Sequence, residues 1–148
     1  MKTIKLLSFG LFITGAMLFS SCKKEGCTNP VATNYDVKAK TSDRSCVYNV
    51  DVIFWFEEDV SQALQFIEIK KLTFQLNGDP IGTAGTDVFW EEAPKCKTPG
   101  AIKFTKELTK SNSEPFYYTV LDEEGEQLWK GITVLDTDSC KVIQLESL

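Results

Sequence analysis

The sequence predicts an all-β fold, an antiparallel two-sheet sandwich of six or seven strands preceded by a small cysteine-bracketed segment. Three observations predict it. From residue 47 onward apolar residues recur with period two, turn residues punctuate the runs, and only one short stretch fits a helix. Half-buried strands must cover one face against another sheet, so strands at this spacing over about 100 residues argue a sandwich, with a small closed barrel as the alternative.

Val50, Val52, Phe54 and Phe56 alternate with Asp51, Ile53, Trp55 and Glu57 in the first strand. Ser61 to Glu68 is the helical stretch. Leu72, Phe74 and Leu76 alternate with Thr73 and Gln75, and Asn77-Gly78 then supplies a two-residue hairpin signal because both positions tolerate positive φ. Ile81 to Ala84 returns as the partner strand, with Gly82 and Gly85 weakening it or marking a bulge, and Val88 to Trp90 extends it. Ala101 to Leu108, Phe116 to Leu121, Gln127 to Leu135 and Cys140 to Leu145 complete the set, with Glu123 to Gly125 turning between the middle pair.

The chain has 148 residues, 16 Lys plus Arg, 21 Asp plus Glu, five Cys and no His. Without His, Ser-His-Asp and Cys-His nucleophile systems and imidazole metal sites are excluded. No G-x-S-x-G, H-E-x-x-H, C-x-x-C or strand-to-helix phosphate loop is present. These absences and the pattern below lead to the expectation of a protein that is not an enzyme and needs no cofactor.

Lys2 and Lys5 precede an uncharged run from Leu6 to Phe19, then Ser20, Ser21 and Cys22. That layout is secretory, because a membrane-crossing helix needs about 20 apolar residues and this run is shorter. Leu18-Phe19-Ser20-Ser21-Cys22 resembles a bacterial lipoprotein signal, which implies that residues 1–21 are removed and that Cys22 is lipidated and becomes the N-terminus. Taking Cys22 out leaves four cysteines, an even number that can pair fully in an oxidising compartment. Loss of Lys2 and Lys5 leaves 14 basic against 21 acidic side chains, a formal balance of −7. Nucleic acid is therefore excluded as the expected partner, since phosphate tracking needs clustered cations, and the membrane is met through the covalent lipid.

Residues 22–48 form a polar, turn-rich segment unable to bury a core of its own, with Cys27 and Cys46 at its ends to staple it. GCTNPVATNYDVKAKTSDRSCVY resembles a short module of pattern GCTDPxAxNYxxxAxxDDGSCxY found in secreted and lipid-anchored proteins of Bacteroidota-type bacteria. The resemblance implies an envelope address, the outer membrane, and no defined biochemical role. Asn29, Asn34, Asp36 and Asp43 are the weak calcium candidates, since Ca²⁺ takes six to eight oxygens, but the EF-hand ladder is missing and such residues commonly make Asx turns. No metal site is expected.

Residues 49–148 are the expected sandwich domain. The order FWF, a mid-domain Cys, FYYTVLD, GEQLWKGITV and a final Cys with KVIQL is similar to extracytoplasmic sandwiches of the same lipoproteins, which are Ig-like or transthyretin-like and related to carboxypeptidase-regulatory domains. Such domains carry, tether or bind. Four cysteines allow three pairings, and the residues themselves do not choose. The expectation is Cys27 with Cys46 and Cys96 with Cys140, each pair staying within one module, and the second pair is what the sandwich resemblance implies. Without a C-x₂-C spacing, zinc is the weaker use of these thiols.

Trp55 and Trp129 are the candidate ligand-binding residues, as flat apolar faces for a sugar ring. Each lies opposite the better apolar stripe of its strand, Phe54 and Phe56 in one and Leu128, Ile132 and Val134 in the other, which predicts that they are exposed or sit at an edge. Glu57-Glu58-Asp59, Glu91-Glu92 and Asp122-Glu123-Glu124 fall at strand ends and turns, solvated places that suit solubility better than acid–base catalysis. The leading expectation is a lipid-anchored envelope protein whose sandwich contacts another envelope protein. A carbohydrate-binding accessory domain is the alternative.

Overall fold

A computed structural model describes residues 23–109, 113–137 and 140–147. Residues 1–21 and Cys22 lie outside the described residues. The elements are β1 (Glu25–Gly26), β2 (Thr41–Ser42), β3 (Tyr48–Trp55), α1 (Glu58–Phe66), β4 (Lys71–Leu76), β5 (Asp79–Gly85), β6 (Ile102–Leu108), β7 (Glu114–Leu121), β8 (Gln127–Leu135) and β9 (Lys141–Gln144). All of them, and both disulfides, fall within the chain that begins at Lys23.

Seven strands build two sheets, three-stranded in the order β6-β3-β9 and four-stranded in the order β5-β4-β7-β8. The fold is an all-β sandwich. Among the described residues neither sheet hydrogen-bonds to the other, so the barrel alternative is excluded. Pairing is antiparallel throughout the two sheets except between β3 and β9, which run parallel with Val52 opposite Lys141 and Trp55 opposite Gln144. β8 belongs to the other sheet, so β9 enters by a crossover, and no hairpin dictates its direction.

The apolar stripe of β3 faces inward, as the alternation requires: Val50, Val52, Phe54 and Phe56 are all fully buried. Phe54 packs on Phe74 with centroids 4.8 Å apart, Phe74 on Phe104 at 5.1 Å and Phe54 on Tyr118 at 5.7 Å. Two glycines make room for this ring cluster. A Cβ on Gly82 would collide with the ring of Phe104, and one on Gly131 with the ring of Tyr118, its cross-strand partner. Each ring thus fills the volume its glycine leaves empty.

The Asn77-Gly78 turn has positive φ at both residues, 51° and 83°, as the hairpin signal predicts. The helix begins three residues earlier than the periodicity suggests. Glu58 and Asp59 form its first turn, where carboxylates favour the helix N-terminus, and Glu68, left-handed at φ 66°, ends it. Val60, Ser61 and Leu64 are its buried face.

Val88 to Trp90 does not extend β5. The chain is drawn off the sheet at Thr86, whose hydroxyl donates to the Ile69 carbonyl and whose own carbonyl accepts from the Ser61 hydroxyl at 2.6 Å. It next meets the other sheet, where the Trp90 N–H donates to the Phe56 carbonyl. The Cys96–Cys140 bridge then ties it to the entry of β9. By residue 102 it has reached β6, on the opposite side of β3. That is two strand spacings, about 10 Å. The inner face is filled by the second sheet, so residues 96–101 cross the outer face, over β3. Ile53 and Trp55 point to this side and are 0% and 7% exposed. This strap gives the three-stranded sheet a second apolar layer.

The N-terminal segment is docked against the sandwich. Cys27, Ala32 and Cys46 belong to the same buried cluster as Tyr48 and Leu108, and Asn29 donates to the Tyr48 hydroxyl at 2.9 Å. The expected Cys27–Cys46 bridge is formed.

Candidate functional site

The outer face of the four-stranded sheet has no strap. The mutual hydrogen bonds of the β7–β8 ladder set which residues share it. Asn77 donates its N–H to the Tyr117 carbonyl at 2.7 Å and accepts the Tyr117 N–H on Oδ1 at 2.9 Å, so the Tyr117 backbone points toward β4. Backbone direction alternates, so Phe116, Tyr118 and Val120 bond β8 through Thr133, Gly131 and Trp129. The N–H and C=O groups of Lys130, Ile132 and Val134 therefore point out of the free edge.

Their side chains share the outer face with Pro115 and Tyr117. Tyr117 stands directly opposite Ile132, and Pro115 opposite Val134. Tyr117 is 61%, Ile132 63% and Val134 45% exposed. Other exposed apolar side chains occur elsewhere, Phe66 and Ile67 at the end of α1 and Val31 and Val37 in the N-terminal segment. Only for the β7–β8 set does strand register make the residues direct neighbours. Single exposed apolar side chains are ordinary, whereas a contiguous group on a sheet face marks contact with another molecule.

The residues singled out in the sequence fall elsewhere. Trp55 is buried under the strap, and its carbonyl accepts the Leu145 N–H at 2.8 Å. Trp129 is half-buried. It faces inward with Val120, and its indole N–H donates to the Glu146 carbonyl at 2.8 Å. The exposure expected of this pair is not found, and the two rings lie on different sheets and share no open surface. In β8 the inward residues are Trp129, Gly131, Thr133 and Leu135, and the more apolar stripe faces out. Tyr118 supplies the bulk at Gly131, and a bulge between Val120 and Leu121 shifts the register by one, which exchanges the faces.

Asn29, Asn34, Asp36 and Asp43 brace their own loop. Their side-chain oxygens accept from the N–H groups of Val31, Val47, Lys38 and Ser45 respectively, at 2.8 to 3.1 Å. Lys24 pairs with Asp36 and holds its carboxyl below the usual range, and hydrogen bonds from Ser45 do the same for Asp43. Among the described residues no group of three or more His, Cys, Asp or Glu could hold a metal ion. Cys96 and Cys140 are paired, as Cys27 and Cys46 are.

The acidic residues gather near the α1 end. Glu57, Asp59 and Glu146 rim an open cleft of about 280 Å³ with Val60, Gln144, Leu145 and Ser147. Gln144 donates to Glu57 at 3.1 Å. Glu123 has a structural task there: its Oε1 accepts the N–H groups of Lys70 and Lys71, both at 2.7 Å, fixing the β7–β8 turn to the start of β4. These bonds, with one from its own N–H, hold its carboxyl below the ordinary value of 4.5.

The Tyr117, Ile132 and Val134 group escapes sequence reading because the bulge decides its face. The usable signal is the Glu123–Gly125 turn, since counting outward from it with one extra residue in β8 sets Tyr117 opposite Ile132. No family model matches the chain, and neither a curated protein nor a solved structure matches it.

Proposed function

We propose that this protein is a non-enzymatic component of the cell envelope, anchored at the outer membrane through a lipid on Cys22, whose sandwich works by contacting another protein. The observation that supports the contact reading is the exposed Tyr117, Ile132 and Val134 group on the uncovered sheet face. Its chemistry suits a protein surface: an aromatic ring and two β-branched side chains with one cation, Lys130, beside them. The N-terminal segment packs on the sandwich, so in this reading it sets the body's orientation to the anchor.

Two experiments test the parts separately. A photo-crosslinking residue at Tyr117 in cells making the full chain is expected to yield protein adducts, while the same residue at Gln62, on the exposed side of α1, yields few. No Tyr117 adduct would remove the contact reading. Metabolic labelling with a palmitate analogue is expected to mark the wild-type protein and fail on Cys22→Ser. Equal labelling of both would remove the anchor.

A further inference from the structure

The partner that fits this edge is a second copy of the chain. We infer that two molecules pair antiparallel through β8, about a two-fold axis at Thr133, to join their four-stranded sheets into one. This rests on reading the outer face of β7–β8 as a protein-contact surface.

Edge strands carry unpaired N–H and C=O groups, and proteins protect them with charge, proline, bulges or brevity. Three edges here are protected. β5 carries Pro80 and a bulge opposite Phe74 and Gln75, β6 carries Lys103, Lys106 and Glu107, and β9 has 4 residues with Cys140 bridged at its entry. β8 is the exception. It has 9 residues, one charge and no proline, and among the described residues β7 is its only hydrogen-bonded neighbour.

A second copy matches that edge in three ways. The outward backbone groups belong to Lys130, Ile132 and Val134, so an antiparallel pair bonds through residues of this set. With the axis at Thr133, Ile132 of each copy lies opposite Val134 of the other, a β-branched cross-strand pair made twice. The same register carries Lys130 toward Asp136 of the other copy, so opposite charges flank the apolar pairs. It also brings the two Thr133 side chains directly opposite each other. The Thr133 hydroxyl is buried and has no hydrogen-bond partner in the single chain, and a χ1 rotation toward the axis would give it one. Moving the axis to Lys130 would oppose like charges, and moving it to Gly131 would set Lys130 against Ile132.

The test is light scattering and sedimentation equilibrium on the chain from Lys23, which contains the whole fold. The wild type is expected to be a dimer in reversible equilibrium with monomer. Ile132→Pro deletes an N–H that points away from β7 and should leave a folded monomer. Lys130→Glu keeps every residue of the β7–β8 ladder and should raise the dimer dissociation constant roughly tenfold by turning two attractions into repulsions, with near-ultraviolet circular dichroism unchanged. Thr133→Cys should form an intermolecular disulfide, and Ile132→Cys should not, since the two copies of residue 132 sit beyond bridging distance. A wild-type chain that stays monomeric, or a dimer indifferent to both Ile132→Pro and Lys130→Glu, would overturn the pairing. The Tyr117 crosslink separates this from the broader reading. An adduct at twice the chain mass supports the pairing, an adduct only to a different protein overturns it and leaves the contact reading standing, and no adduct removes both.

Discussion

The two sheets of this sandwich present opposite outer faces. On the three-stranded sheet, Ile53 and Trp55 point away from the main core and are nonetheless buried, because the chain between Cys96 and β6 crosses over them. On the four-stranded sheet, Tyr117, Ile132 and Val134 occupy the equivalent position and are open. The residues on the two faces are chemically alike, so composition does not set the difference. A disulfide-tied connection covers one face, and nothing among the described residues covers the other. An apolar outer face is a completed second core in the first case and a contact surface in the second.

Removing the strap's tether should have the largest effect. Cys96→Ala with Cys140→Ala opens a loop of about 45 residues, which in the chain-entropy account destabilises by about 4 kcal/mol. Urea denaturation would measure this, and Trp55 emission should shift red in the variant before global unfolding. A stable double variant with unchanged Trp55 emission would show that packing alone holds the strap.

Ile53→Ala should follow at about 3 kcal/mol, the cost of emptying a fully buried aliphatic site. Gly131→Val tests the inner face of β8. Its side chain would meet the Tyr118 ring, and the overpacking should cost about 2 kcal/mol by the same denaturation assay. Pairing it with Tyr118→Ala should recover part of that loss.

Acid should loosen the open sheet from its turn. Because the Glu123 carboxyl is lowered in the folded chain, its contribution is present above 4.5 and is lost as pH falls through the lowered value. Stability measured against pH should therefore fall below about 4.5, and the fall in that window should be shallower in Glu123→Gln. Asp36 and Asp43 are lowered in the same sense and add to the slope from the N-terminal segment.

The smallest effect should come from the open face. Ile132→Ser, measured under conditions where the chain is monomeric, should change stability by no more than about 0.5 kcal/mol. Against Ile53→Ala this is the sharpest contrast available between the two faces.

Local signals in the sequence were enough for most elements. Alternation marks all seven strands of the sandwich, Asn77-Gly78 places its hairpin, and the turn-rich composition of residues 22–48 marks the stapled segment. What failed needed non-local information. Trp55 looks like the exposed side of a half-buried strand until a connection some 40 residues later in the chain lies down on it. The stripe Leu128, Ile132, Val134 looks inward until a bulge and a ring from Tyr118 assign that space to Gly131. The contact face was hidden for the same reason, since its apolar residues were assigned to the core.

Hydroxyl-radical footprinting of the chain from Lys23, read residue by residue by mass spectrometry, tests the difference between the two faces most directly. Tyr117 and Ile132 should oxidise rapidly while Trp55 and Ile53 stay protected, although an indole is intrinsically the more reactive ring. The Cys96→Ala, Cys140→Ala variant should lose the Trp55 protection and leave Tyr117 unchanged. Oxidation of Trp55 in the intact chain as fast as Tyr117 would contradict the account.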